Sequence, residues 1–483
     1  MVRSSRPASG LEAFWDLERY LGTAAKARVG LDTIERESER RGRELVRLAL
    51  QTHLDARGDG DVGPALMIDD PSGPVRLGCR RHHTRHLLTV FGEVSVTRLG
   101  YGTPGHQSIH PLDAELGLPG RTYSYEICRR LVRAAVVGPF DEATALIAEM
   151  TGVVVPKRSA ETLLVEAAVD FEAFYAARTK GEAKPVPREI LVGAIDCKGI
   201  PMVKPGGADK TVRPKKGEKP NRKKMATVAA VFSQAPRIRT PEEVIDSLFA
   251  TGKRPSRGAR PTPTHKRVWA SLLSGKDAFI ADVRTEMVRR DPLHRRTWVM
   301  VTDGERALQR RVCTTFKGVT LVLDLLHVLE KLWAVSYVFH PEGSAEAEAF
   351  VRERALRILH GQVGQVVKGL RQMSTKRRFT GAKAKTVADV TGYYQRNRER
   401  MRYDVYLKNG WPIASGSVEG ACKHLVRDRF ERSGMRWSPA MAEAMLKLRA
   451  VYLSGDFDSY WEFHVRRDQG RLHPKGSWRV VRK

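Results

Sequence analysis

The spacing of hydrophobic positions changes several times along this chain, and the changes divide it. Over residues 1–74, Leu11, Phe14, Leu17 and Leu21 recur every three to four positions, and the charged stretch through Arg47 continues that spacing, which predicts helix. Gly58-Asp-Gly-Asp61 and Pro71-Ser-Gly-Pro74 break it. From Val75 the period nears two, as in Leu87-Leu88-Thr-Val-Phe-Gly-Glu-Val-Ser-Val96, so 75–121 reads as a small β unit, loop-like from Gly100 to Leu116. Three helices are expected next, at Ser124–Val137, Asp141–Thr151 and Ala160–Thr179. Within 122–184 they have the outline of a helix-turn-helix DNA reader, with a plain helical scaffold as the alternative.

A different pattern starts near Pro185. Glu189–Ile195 is a continuous apolar run ending in Asp196, as a buried strand should be; Gly199–Val203 is expected to return beside it, and Met225–Phe232 to form a third strand. Helices are predicted near Pro241–Phe249 and over Val268–Val288. A strand at Thr297–Thr302 delivers Asp303-Gly304, a helix follows at Glu305–Thr315, and a strand at Gly318–Leu323 ends at Asp324. Helices dominate from Leu325 to Tyr406 and again after Ser415. The expected order is an α/β core in 185–324, a helical insertion in 325–406, completion of the core in 407–463 and a basic tail in 464–483.

Charge narrows the function. There are 84 Lys+Arg against 55 Asp+Glu, a net +29 on 483 residues, while 41% hydrophobic residues are enough for globular cores. Such a field favours phosphate polymers, because multivalent contact releases counterions. Basic residues concentrate in Lys204–Lys224, Thr251–Lys266, Lys376–Lys385, Lys423–Arg436 and Arg466–Lys483. No run approaches the ~18 apolar residues of a membrane span, so a cytoplasmic, nucleoid-associated protein is expected, with no membrane partner. Five scattered cysteines without a Cys-x-x-Cys indicate neither a disulfide framework nor a cysteine zinc site.

The candidate chemistry is positional. Two strands end in aspartates, Asp196 and Asp303, and side chains at strand carboxyl ends face the crevice where α/β sheets build sites. Glu419 supplies a third carboxylate, on a helix opened by Trp411–Ser417, with Lys423 and Arg427 at i+4 and i+8. Each aspartate has a plainer reading as a turn former or helix cap. Clustered carboxylates repel one another unless divalent cations neutralise them, and hard oxygen ligands suit Mg²⁺ or Mn²⁺. Two such ions, ~4 Å apart, serve in-line phosphodiester displacement.

These residues lie in motifs that carry a resemblance. Ala194–Met202, Val301–Leu308, Val322–Trp333, Ser415–Gly420 and Arg432–Ser438, together with His110–Leu118 and His265–Leu272, resemble in order the ISKra-type insertion-sequence transposases. That group belongs to the DDE transposases related to Mutator. The resemblance implies a ribonuclease H-like catalytic core with an all-helical insertion, preceded by a mainly helical DNA-binding region. It implies Asp196, Asp303 and Glu419 as catalytic metal ligands holding two Mg²⁺ or Mn²⁺ ions. Asp324 and His327 match the group's Asp-x-x-His signature, which makes Asp324 a competitor for the second position and His327 an accessory or anchoring group. Relatives carry paired cysteines before the Pro-Leu-Asp motif, but here only His106 and His110 stand there, so no zinc is expected.

The implied activity is binding of insertion-sequence ends, metal-dependent cleavage and strand transfer. The partners are double-stranded DNA, both terminal inverted repeats and target, with homo-oligomerisation on paired ends. Lys423, Arg427, Arg429, Arg432, Arg436, Lys223 and Lys224 are expected to contact DNA. The alternatives are a non-enzymatic helix-turn-helix regulator and a nuclease without strand transfer.

Overall fold

The computed structural model describes residues 10–178, 189–203, 223–249, 261–414 and 416–481. Its contacts gather into two units, Met1–Tyr175 with Phe457–Lys483, and Ala176–Asp456. Most of the expected basic loop Lys204–Lys224 and of Thr251–Lys266 lies outside the described residues. No described helix is long and apolar enough to cross a membrane.

The first unit begins with an antiparallel helix pair, Gly10–Lys26 and Leu31–Ala56. Five strands follow: β1 (Leu66–Asp70), β2 (Gly73–Leu77), β3 (Cys79–Thr89), β4 (Gly92–Thr103) and β5 (His106–Ile109). β3, β4 and β5 form one antiparallel sheet, and β1 pairs with β2. β1 falls where helix was expected, and the stretch read as a loop from Gly100 holds the end of β4, then β5 and the helix Pro111–Glu115. The reason is packing: Leu66, Leu77, Leu99 and Tyr101 bury one another, so strands too short to show a period are held by a shared cluster.

Four helices complete the unit's middle, Tyr125–Val137, Phe140–Thr151, Lys157–Ala167 and Phe171–Ala177. Ser124 caps the first through the Ile127 amide, and left-handed Gly152 ends the second. The single helix expected at Ala160–Thr179 is broken just before Phe171, where Asp170 turns inward. The chain's end belongs here too. Helix Phe457–Leu472 packs back through Tyr460, whose hydroxyl donates to the Ala167 carbonyl at 2.6 Å, and Arg479–Val480 pairs with β1. The boundary expected at 463 thus falls inside a helix, and 464–481 is not a loose basic tail.

The second unit is built on a five-stranded mixed sheet: β6 (Ile190–Pro201), β7 (Lys223–Gln234), β8 (Thr264–Ser271), β9 (Thr297–Thr302) and β10 (Thr320–Leu323). The order is β10-β9-β6-β7-β8, with β6, β7 and β8 antiparallel in succession and β9 and β10 parallel to β6. Gly199–Pro201 continues β6 instead of returning beside it. Val268–Val288 is not one helix: β8 comes first, and the helix is Lys276–Arg290. β8 lies at the sheet's edge, where Thr264-His-Lys-Arg267 can be polar on an open side, and this masks the strand pattern. Helix Lys276–Arg290 covers the sheet at Gly193, where a β-carbon would stand 2.3 Å from the Met300 sulfur and 3.0 Å from that of Met287.

After β10 come the helices Leu325–Phe339, Ala345–Leu359, Val363–Lys376 and Gly381–Asn397, each packed on the next, with the first also against the last. A short turn and helix, Arg398–Arg400 and Tyr403–Lys408, lead back to the sheet unit. Two buried tyrosines hold this region: Tyr394 ties the last insertion helix to the first by donating to the Val328 carbonyl at 2.8 Å, and Tyr403 ties the returning chain to β10 by donating to the Leu323 carbonyl at 2.7 Å. Helix Pro439–Leu453, capped by Ser438, then packs on β8.

Candidate metal centre

Strand register decides the site. The parallel pairing of β6 with β9 ends at Ile195↔Thr302, and that of β10 with β9 ends at Leu323↔Thr302. The next residues are Asp196, Asp303 and Asp324, so three adjacent strands each deliver an aspartate at one level. Contrary to expectation, Asp196 does not end its strand; β6 runs on to Pro201, with Asp196 opposite Val228 of β7. It is the loss of the parallel neighbour after Ile195 that opens space beside it.

Backbone amides and a thiol orient these carboxylates. Asp196 Oδ1 accepts from the Cys197 amide at 2.6 Å, and its Oδ2 from the Cys422 thiol at 3.2 Å. Asp303 accepts from the Glu305 amide at 3.1 Å. Asp324, fully buried, caps helix Leu325–Phe339 by accepting from the Leu326 amide at 2.9 Å, and its other oxygen lies 3.2 Å from His327 Nδ1. The amide of Asp324 itself donates to the Thr302 carbonyl, and that of Leu325 to Ile413.

Glu419 reaches the same place from a short helix, Gly416–Ala421. Ligand atoms of Asp324, His327 and Glu419 all lie within 4.8 Å of one another. The electrostatics tie Asp196 and Asp303 to this group. Burial chiefly, and the Asp196 charge after it, push the Asp303 carboxyl up, against the Glu305 amide and His327. Burial also pushes Glu419 up, helped by Asp324 and Asp196. His327 is raised to about 9, first by its hydrogen bond to Asp324 and, despite burial, by the charges of Asp324, Asp303 and Asp196. The structure therefore brings Asp196, Asp303, Asp324, His327 and Glu419 into one electrostatic neighbourhood, with Asp324, His327 and Glu419 at ligand distance from one another. The four carboxylates form a hard oxygen donor set of the kind divalent Mg²⁺ or Mn²⁺ accepts, whereas the His327 imidazole, a borderline base raised to about 9, stands beside that set.

Two supporting groups were not anticipated. Tyr393, from the helical insertion, lies so close to Gly304 that a β-carbon there would be 2.1–2.4 Å from its ring and hydroxyl. A side chain after Asp303 would therefore have to displace the Tyr393 ring. The adjacent Asp-Gly pair was the visible signal, read only as a turn. The other is Arg449. Downstream of Glu419 the helix widens into a π-helical turn, Cys422–Arg427, and buried Arg449 donates to the His424 carbonyl and, at 3.0 Å, to that of Leu425. Burial lowers this guanidinium to about 10.

The π turn disturbs the regular i+4, i+8 spacing expected from Glu419. Lys423, Arg427, Arg432 and Arg436 are exposed, as phosphate contacts must be. Arg429 is not: it is 0% exposed, with its guanidinium 4.8 Å over the Trp437 ring, so this cation is a core group and its assignment to DNA is withdrawn. Lys224 is exposed, and Lys223 pairs with Glu431 at 2.6 Å. In the other unit, His106 lies 3.5 Å from Asp70, and His110 Nε2 lies 3.0 Å from His83 Nδ1, with burial and then Arg98 pushing His110 down to about 4.

No protein-family model matches the sequence, and no curated protein does. Among solved structures, the chain is distantly similar to the Drosophila P element transposase strand transfer complex, with a TM-score of 0.25 and 9% identity over 71% of this chain and 80% of that one.

Proposed function

We propose that this protein is a DNA transposase of the DDE type, acting on insertion-sequence ends by metal-dependent cleavage and strand transfer. The observation that carries the reading is the register: aspartates from three neighbouring strands at one level, met by Glu419 from a later helix. The strand order, with an antiparallel β6-β7-β8 and parallel β9 and β10, supports a ribonuclease H-like core, and the four helices after Asp324 match the insertion implied by the sequence motifs.

Asp196, Asp303 and Glu419 are the proposed metal ligands, with Asp324 and His327 beside them. Bound divalent cations, two in this reading, supply a polarised attacking oxygen and neutralise charge on the leaving one. The chain's own part is positioning. The Cys197 amide and Cys422 thiol hold Asp196, the Glu305 amide holds Asp303, and the Leu326 amide and His327 hold Asp324. A bound cation would relieve the raised Asp303 and Glu419 carboxyls. Binding of paired ends by a homo-oligomer belongs to the same proposal.

The test is nicking and joining of duplex DNA bearing the element's ends, with and without Mg²⁺. Asp196→Asn, Asp303→Asn and Glu419→Gln should each abolish both steps. Full activity in any of them removes that residue from the assignment, and loss in Asp324→Asn with retention in Asp303→Asn exchanges the two aspartates. Nicking without joining would leave a nuclease.

A further inference from the structure

A cleft of about 490 Å³ lies beside the metal centre, between helix Arg306–Thr315 and the end of the helical insertion. Its lining includes Arg306 and Arg310 from one side and Arg396 and Arg400 from the other, each pair four residues apart. Arg306, Arg310 and Arg396 are exposed and Arg400 partly so. None of the four forms an ion pair among the described residues. Their neighbours do: Arg311 pairs with Asp277, and Lys276 with Glu305 at 3.2 Å. Asp277 and Glu305 thus neutralise cations outside the cleft, and among the described residues no ion pair joins an acid to the four arginines inside it.

The cleft is tied to the site by its buried amides. Gln309, 4% exposed, donates to the Asp303 carbonyl at 3.2 Å, and Asn397, 3% exposed, to the Tyr393 carbonyl at 3.0 Å. Cys313 and Thr314 complete the lining, which contains neither a carboxylate nor an aromatic ring. Four planar guanidiniums with no acid against them suit phosphate oxygens, and the lack of an aromatic platform disfavours a stacked base.

We infer that this four-arginine cleft seats the sugar-phosphate backbone of the DNA strand entering the metal centre on its Asp303 side. The inference rests on the transposase reading for its substrate, and adds contacts that the basic segments read from the sequence do not contain. Arg306 lies three residues beyond Asp303, and Arg396 three beyond Tyr393, so a strand gripped here is registered against both.

The experiment uses the full chain and a fluorescent duplex in EDTA, so that binding is read without cleavage, over about 50 to 200 mM salt. Arg306→Gln/Arg310→Gln and Arg396→Gln/Arg400→Gln should each lower the slope of log affinity against log salt by about 2, and the quadruple variant by about 3–4. Arg311→Gln should leave it unchanged, and four Arg→Lys changes should retain most of it. Wild-type slope in a quadruple variant that melts like the wild type overturns the cleft while leaving the nicking result intact. Failure of the wild type to nick, with the arginine-dependent slope present, removes the transposase reading and leaves the phosphate cleft. Tripolyphosphate alone raising the melting temperature through these arginines, with no change in DNA slope, would overturn the backbone assignment.

Discussion

Asp170 in one unit and Asp324 in the other are buried, with Asp196 and Asp303 half-buried, yet the two surroundings differ in sign. Asp170, 2% exposed, accepts from His464 at 2.8 Å, from Arg467 at 2.8 Å and from Arg471 at 2.8 and 3.0 Å. Burial alone would raise its carboxyl, but these partners outweigh it and hold the group at about 2. Glu286, among Arg267, Arg289 and Arg290, is held at about 2 in the same way. At Asp303 and Glu419, by contrast, burial and neighbouring carboxylates outweigh the His327 charge and push both carboxyls up. A buried acid saturated with guanidiniums has completed its electrostatics within the fold. An acidic group whose carboxyls burial and like charge push up has not, and under the proposed function a divalent ion would complete it.

The comparison is broken most severely by neutralising one acid of each kind. Asp196→Asn or Glu419→Gln should reduce nicking by about 10³-fold or more, while the protein stays folded. Asp170→Asn should instead leave four cationic or donor contacts without their charge and destabilise the protein by about 3 kcal/mol, read as a lower denaturant midpoint. Equal loss of stability in Asp196→Asn would erase the distinction.

Next in size is the response to metal. Mg²⁺ at about 100 times its dissociation constant should stabilise the wild type by about 2.7 kcal/mol and do so far less for Glu419→Gln, as a thermal shift would show. Without metal, Asp303→Asn should raise the melting temperature, because it removes a carboxylate that folding makes harder to ionise.

The pH dependence follows with opposite signs. For Asp170 and Glu286, whose folded values lie below the unfolded ones, the stabilisation is present above about pH 4 and is lost as pH falls toward about 2. For Asp303 and Glu419, raised on folding, the metal-free protein gains stability as pH falls through their range. His327 contributes below about pH 6.5, its unfolded value, and that contribution is lost as pH rises through about 9. Unfolding of Asp170→Asn, His327→Gln and wild type across pH in EDTA separates the three. The smallest effect is expected from Lys423→Gln, which removes one exposed cation proposed to contact phosphate and should lower the salt slope of DNA binding by about 1.

Much of this was legible in the chain. The apolar runs at Ile190–Ile195, Thr297–Thr302 and Thr320–Leu323 each announce a buried strand with an aspartate following, and Asp303-Gly304 marks a tight junction. β8 was hidden because an edge strand tolerates a polar half, and β1 because five residues show no period. Arg429 and Lys423 look alike in a basic stretch, and only packing against Trp437 makes one of them a core residue. The same holds for Arg467 and Arg471, which read as tail charge until Asp170 is seen to take them up.

The sequence by itself determined which segments alternate, which bury, where carboxylates follow apolar runs, and a net charge of +29 suited to a phosphate polymer. Those are properties of local spacing and composition, and they survive any arrangement of the elements. The tertiary structure decided which acids share one level, which cations they already own, and that the chain's last helix belongs with its first 175 residues. The site's register and burial also depend on contacts between residues far apart in the chain, such as Ile195 with Thr302 and Asp196 with Cys422, and no local pattern encodes such a pairing.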